Sequence, residues 1–185
     1  MKARTLKRLH FLLVAAYFGG CVLAWPHLPE RMPLHFDFLG RVTAWAPTST
    51  AMWFLVPVLA TAVVLFLYAA ASVPEAWQLS REDLRQFRAL APAAQARITE
   101  SAHRSTALVL ILLTLTLIGL QLGIYSTAVR GLNRMPWYAE VSILSPIVLV
   151  LFLSFRDRSK LRTEIQAAYA TAEVQATAPE ERAST

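Results

Sequence analysis

Glu30, Arg31, His35 and Asp37 stand close together, with Arg41 following, within residues 28–45, LPERMPLHFDFLGRVTAW, and His27 stands just before them. His27, Glu30, His35 and Asp37 are acceptable zinc ligands. No HExxH or comparable spacing arranges them, so no catalytic residue, metal or cofactor is assigned. A mutual or backbone hydrogen bond at His35 and Asp37 would instead stiffen the segment. Pro29 and Pro33 fix two backbone angles, and Gly40 can take the positive φ that a tight return needs. Leu34, Phe36 and Phe38 alternate with His35 and Asp37, which predicts an extended, ordered cap. In that cap Phe36 and Phe38 pack inward, with His35 and Asp37 close together on the aqueous side. Trp25 and Trp45 bracket the cap at one interface.

The elements that hold this segment are apolar. The chain has 185 residues, 56% hydrophobic and 16% charged, where a soluble domain carries about 25% charged residues. Its formal charge of +6 does not point to nucleic acid, because the cations flank apolar runs rather than covering one polar face. The single cysteine, Cys21, excludes an internal disulfide and cysteine-based metal sites. The expected fold is an all-α polytopic membrane protein with four transmembrane helices, both termini cytoplasmic, and one ordered extracytoplasmic loop.

The spans are expected at residues 9–25, 51–73, 105–129 and 137–155, each near the length needed to cross ~30 Å of hydrocarbon. The first reads as an uncleaved span, since no small-x-small cleavage site follows it. Ala15 with Gly19, and Ala16 with Gly20, offer small-residue faces to another helix. Pro57 and Pro146 mark kink sites. In the third span, Gly119 and Gly123 form GxxxG around Gln121, which predicts close helix packing, within the chain or at a homodimer seam, and an interhelical hydrogen bond. Glu140 is expected to meet water or pair with Arg134 or Arg130.

Residues 75–104 carry arginines at 81, 85, 88, 97 and 104. Ser80 and Asp83 suggest a capping box opening a helix with Leu84, Phe87 and Leu90 on one face. That helix lies either along the inner leaflet or against the bundle. Residues 1–174 form one domain, and 175–185 read as a disordered tail. Residues 1–10, 74–104 and those after Phe155 hold fourteen of the Lys and Arg residues, against four in the two opposite loops. This asymmetry places residues 26–50 outside and both termini inside.

Leu28, Pro29, Pro33, His35, Phe36, Gly40 and Trp45 fill, in order, the pattern L-P-x-x-x-P-x-H-F-x-x-x-G-x-x-x-x-W. In this the chain resembles a bacterial membrane family of unknown function that includes immunity proteins of the sporulation-delaying toxin type. The resemblance covers residues 25–57. It implies a polytopic inner-membrane protein, and immunity to a membrane-active toxin as one expression of binding at the loop. The binding residues are then Pro29, Pro33, His35, Phe36, Asp37, Gly40 and Trp45. The expected function is non-enzymatic binding, immunity or sensing in the membrane. The alternatives are an accessory subunit of a larger complex, a metal-dependent membrane enzyme, or a transporter. The expected partners are the lipid bilayer and a second protein or a second copy of the chain.

Overall fold

In the computed structural model, which describes residues 2–71, 73 and 79–183, five α-helices carry one β-hairpin. The order is α1 (Ala3–Ala24), β1 (Arg31–Phe36), β2 (Val42–Pro47), α2 (Thr50–Ala71), α3 (Arg81–Ala89), α4 (Pro92–Arg130) and α5 (Trp137–Ala183). Four helices, α1, α2, α4 and α5, are long and apolar enough to cross a membrane. The loop expected in an all-α fold is thus a two-stranded antiparallel sheet. Its two edges need partners, and the connection between α4 and α5 supplies them to one strand, as set out below.

The helices outrun the expected spans because helix propagation does not stop where apolarity does. α1 begins at Ala3, whose N–H donates to the Glu100 carboxylate of α4 at 2.8 Å, an anion at a helix N-terminus. α4 opens with Pro at its first position, as proline prefers, and runs 39 residues to Arg130, with Gly131 as its cap. Gly131 takes φ +60, and the Leu132 N–H donates to the Thr127 carbonyl, closing a Schellman cap. α5 continues through Ala183, past residue 174, the expected end of the domain. The stretch TEIQAAYATAEVQATA (163–178) contains neither Gly nor Pro and is rich in strong helix formers.

The long ends of α4 and α5 build a second core with α3. Phe87 and Leu90 bury against Ile98 and Ala102 of α4 and Leu161 and Ile165 of α5. The helix at 81–89 therefore packs on the bundle; its apolar face is taken by protein. Ser80 caps it, accepting the Asp83 N–H at 3.0 Å while its hydroxyl donates to Asp83 Oδ2 at 2.7 Å. Asp83 also accepts from Gln166 Nε2 at 3.3 Å and faces Arg162 Nε at 3.5 Å. The Ser80 hydroxyl, then the Arg162 guanidinium, hold its carboxyl below the usual carboxylate range.

A carboxyl with a depressed folded pKa stabilises the fold at neutral pH, and that stability is lost as pH falls through the folded value. Thermal unfolding of the solubilised protein should show this loss in the acid range. Asp83→Asn should lower stability at neutral pH by ~1.5–2 kcal/mol, at the low end of the range for hydrogen bonds to a charged group, and flatten the acid limb. An unchanged acid limb would remove Asp83 as its source.

Candidate functional site

The hairpin lies across the end of the bundle remote from α3. At its base, the Thr48 N–H donates to the Glu30 carbonyl at 2.8 Å, and the Thr48 hydroxyl donates to the Pro29 carbonyl at 2.6 Å. Near its tip, the Met135 N–H donates to the Gly40 carbonyl at 2.7 Å and the Val42 N–H to the Asn133 carbonyl at 2.9 Å. An isolated hairpin is marginal in water. This one is closed at its base by Thr48, packed on the helices there through the buried Met32, and tied at its tip to the α4–α5 connection by Gly40 and Val42.

The turn is built by Asp37 and Gly40. Asp37 Oδ1 accepts the N–H groups of Leu39 at 2.9 Å and Arg41 at 2.8 Å, and the Gly40 N–H donates to the Asp37 carbonyl. Gly40 stands at φ +70, and a Cβ there would collide with the Glu140 carboxylate. Glu140 is held in place by Arg134, Nε to Oε1 at 3.2 Å and Nη2 to Oε2 at 3.3 Å, the partner expected for it. Asp37 therefore serves backbone donors, and no bond joins it to His35. His35 Nδ1 instead meets Thr43 Oγ1 at 2.6 Å across the hairpin.

The expected inward pair of phenylalanines is corrected in the same way. Phe36 is half-buried, but Phe38 is 110% exposed and Leu34 59%. The strand register explains it. Pro33 pairs with Trp45, His35 with Ala44 and Phe36 with Val42, so Leu34 is an extra residue on β1 and Thr43 an extra residue on β2. Each bulge breaks the alternation of faces. Phe38 then falls in the turn, where side chains project away. Met32, 4% exposed, is the inward anchor, packed with Tyr17, Cys21, Trp53 and Ala128. Pro33 is buried, Pro29 and Trp45 half-buried, and the Trp25 ring lies tilted against Phe54 with centroids 6.3 Å apart.

Under the hairpin, Gln121 joins three helices. Its amide Nε2 donates to the Trp53 carbonyl at 3.2 Å, and its Oε1 accepts the Tyr17 hydroxyl at 3.4 Å. Trp53 Nε1 donates in turn to the Cys21 carbonyl at 2.9 Å. Pro57 accounts for the free acceptor: it has no N–H to give the carbonyl four residues earlier. Gly119 and Gly123 face α5 and the connection leading into it, where added Cβ atoms would lie 2.8 Å from Ser142 Cβ and 2.9 Å from Met135 Sδ. Gly19 and Gly20 of α1 have nothing within 4 Å of such an atom. Gly20 lines a groove of about 520 Å³ with Ala16, Tyr17, His27, Gln121 and Tyr125.

Sequence reasoning missed a second polar cluster. His10 is fully buried, with Nδ1 2.8 Å from the Tyr68 hydroxyl and Nε2 2.7 Å from Thr114 Oγ1. Thr114 donates to the Leu110 carbonyl, so Nε2 carries the proton and Tyr68 donates to Nδ1. The chain of donors joins α1, α2 and α4. The available signal was the face Leu6, His10, Tyr17 and Cys21 on α1, all buried, which continues the apolar stripe into the basic N-terminus. Among the described residues, no three His, Cys, Asp or Glu side chains converge as a metal site would require.

The hairpin, with the helix leading into it and the helix leading out, is the part of the chain with known counterparts. Residues 12–61 match a family described as Domain of unknown function (DUF1648). The match covers about a quarter of the chain, running from within α1 through both strands to Thr61 in α2. It takes in Gln121's two partners, Tyr17 and Trp53, together with the His35 and Asp37 turn. No curated protein matches the chain, and no solved structure does.

Proposed function

We propose that the chain is a multi-pass protein of the bacterial inner membrane, with both termini cytoplasmic, whose hairpin is a non-enzymatic element for binding, immunity or sensing outside the cytoplasm. The observation that carries this reading is the fixation of the hairpin at base and tip, which makes His35 and Thr43 a preorganised exposed pair. Preorganisation reduces the ordering cost of binding. His35 Nε2 has no partner among the described residues and remains available to a ligand. The threading follows the fourteen-to-four cation asymmetry, and the first residue of α1, Ala3, is bonded to Glu100 in the part of α4 that packs α3.

A reporter active only outside the cytoplasm should work when fused after Thr43 and stay silent after Gln95; the reverse pattern overturns the threading. His35→Ala should leave the protein inserted and as heat-stable as the unmodified chain, and should abolish co-purification of its partner from native membranes. Partner recovery equal to that of the unmodified protein would remove His35 from the recognition surface. The second reading, an accessory subunit of a membrane complex, is favoured by the open face at Ala16 and Gly20, where nothing among the described residues occupies the groove. Photo-crosslinking from position 20, and not from position 35, would select it.

A further inference from the structure

The tip of the hairpin carries two large apolar side chains that no helix covers: Phe38 is 110% exposed and Leu39 57%. They differ from the exposed apolar residues of the four long helices, which a bilayer would surround, because they lie outside every span. Their height is fixed by α5. The 19 residues from Trp137 to Phe155 rise about 28 Å, close to the ~30 Å thickness of a hydrocarbon core, and Arg156 follows at once. Trp137 therefore stands at one membrane surface and Arg156 at the other. The Gly40 carbonyl is bonded to the N–H of Met135, two residues before Trp137. The turn is thus anchored at the depth of the membrane surface, beside the first turn of α5.

That first turn has the chemistry of an interfacial belt. Trp137 is 73% exposed and Tyr138 packs against it edge to face at 6.2 Å, and aromatic residues with polar edges favour this depth. Charge at the tip is arranged to match. The Asp37 carboxylate is turned into its own loop by two backbone donors, and Glu140 is paired with Arg134. Arg41 is exposed beside the turn, where a guanidinium can meet lipid phosphate. An apolar tip flanked by a free cation and self-satisfied acids fits a phospholipid surface.

We infer that Phe38 and Leu39 are a membrane anchor, inserted among the headgroups and upper acyl chains of the leaflet beside α5, with Arg41 on the phosphates. The anchor holds the hairpin flat across the bundle end, so that His35 and Thr43 face water. It does not depend on which face of the membrane is outside, nor on what the hairpin binds.

The test places a nitroxide at position 38, 39 or 43 by cysteine substitution, in nanodiscs of phosphatidylcholine and phosphatidylglycerol. Cys21 is buried and the unmodified protein serves as the labelling control. Collisions with oxygen, which concentrates in lipid, are compared with collisions with a water-soluble nickel chelate. Positions 38 and 39 should favour oxygen several-fold more than position 43. Equal nickel access at all three positions would overturn the anchor, and so would protection of 38 and 39 from both reagents, the mark of a protein contact. Phe38→Asp provides a second readout: with thermal stability unchanged, the label at 39 should move toward nickel access. A label at 39 that ignores this change would show that the tip does not sit in lipid.

Discussion

Gly119→Leu should drive α4 and α5 apart and lower the stability of the solubilised protein by about 3 kcal/mol, the upper end of the usual range for overpacking. Even a single Cβ at 119 would stand 2.8 Å from Ser142 Cβ and 3.1 Å and 3.2 Å from the Ser142 carbonyl carbon and oxygen. Backbone atoms cannot rotate out of the way. At Gly123 the nearest atom is Met135 Sδ at 2.9 Å, the end of a flexible thioether, although Ala139 Cβ follows at 3.0 Å. Gly119→Ala should therefore cost more than Gly123→Ala, and neither should change the oligomeric state, because the face is used within the chain. Equal thermal midpoints for Gly119→Leu and the unmodified protein would show that the two helices do not meet there.

The approach at Gly119 is one of two places where a proline and α4 work together. Pro146 has no N–H for the Ser142 carbonyl, just as Pro57 has none for the Trp53 carbonyl. Both of these carbonyls face the segment 119–123 of α4. Gln121 answers the first with a hydrogen bond, and Gly119 lets α4 come close to the second. Pro57 is itself fully buried. Prolines in apolar helices are tolerated where neighbours satisfy the freed backbone groups, and at Pro57 that neighbour is Gln121.

The long helices were legible because unbroken apolar runs and their cationic flanks are strong signals that need no tertiary information. The interhelical role of Gln121 was legible too, since a lone amide in an apolar run has few other uses. The hairpin was harder. Strict alternation across 34–38 read Phe38 as buried, while Asp37 and Gly40 three residues apart carried the opposite signal, a turn with Asp first and Gly last. The two bulges at Leu34 and Thr43 follow from register, which depends on a partner strand and cannot be seen in β1 alone. His10 was hidden because it stands among cations; only the contacts with Tyr68 and Thr114, 58 and 104 residues away, reveal it. The packing of α3 was one of two readings that amphipathicity leaves equal, since the same stripe suits a lipid surface and a protein groove.

Gln121→Leu should lower stability by ~1–3 kcal/mol, the range for leaving a buried acceptor without a partner, and the size of that loss should depend on Pro57. In the unmodified chain the Trp53 carbonyl has Gln121 Nε2 as its donor at 3.2 Å, and proline offers no alternative. Pro57→Ala restores an N–H at the position that normally serves this carbonyl, so the side-chain bond becomes redundant. The Tyr17 hydroxyl loses its acceptor in either background, and the volume lost at 57 is present in both members of the second pair. A double-mutant cycle cancels these shared terms and isolates the coupling. Unfolding titrations in mixed detergent micelles should give a loss on Gln121→Leu that is smaller by ~1 kcal/mol when alanine stands at 57, about the net worth of one hydrogen bond. An identical loss in the two backgrounds would mean that the Trp53 carbonyl finds another donor, and that Gln121 joins α4 to α1 through Tyr17 alone.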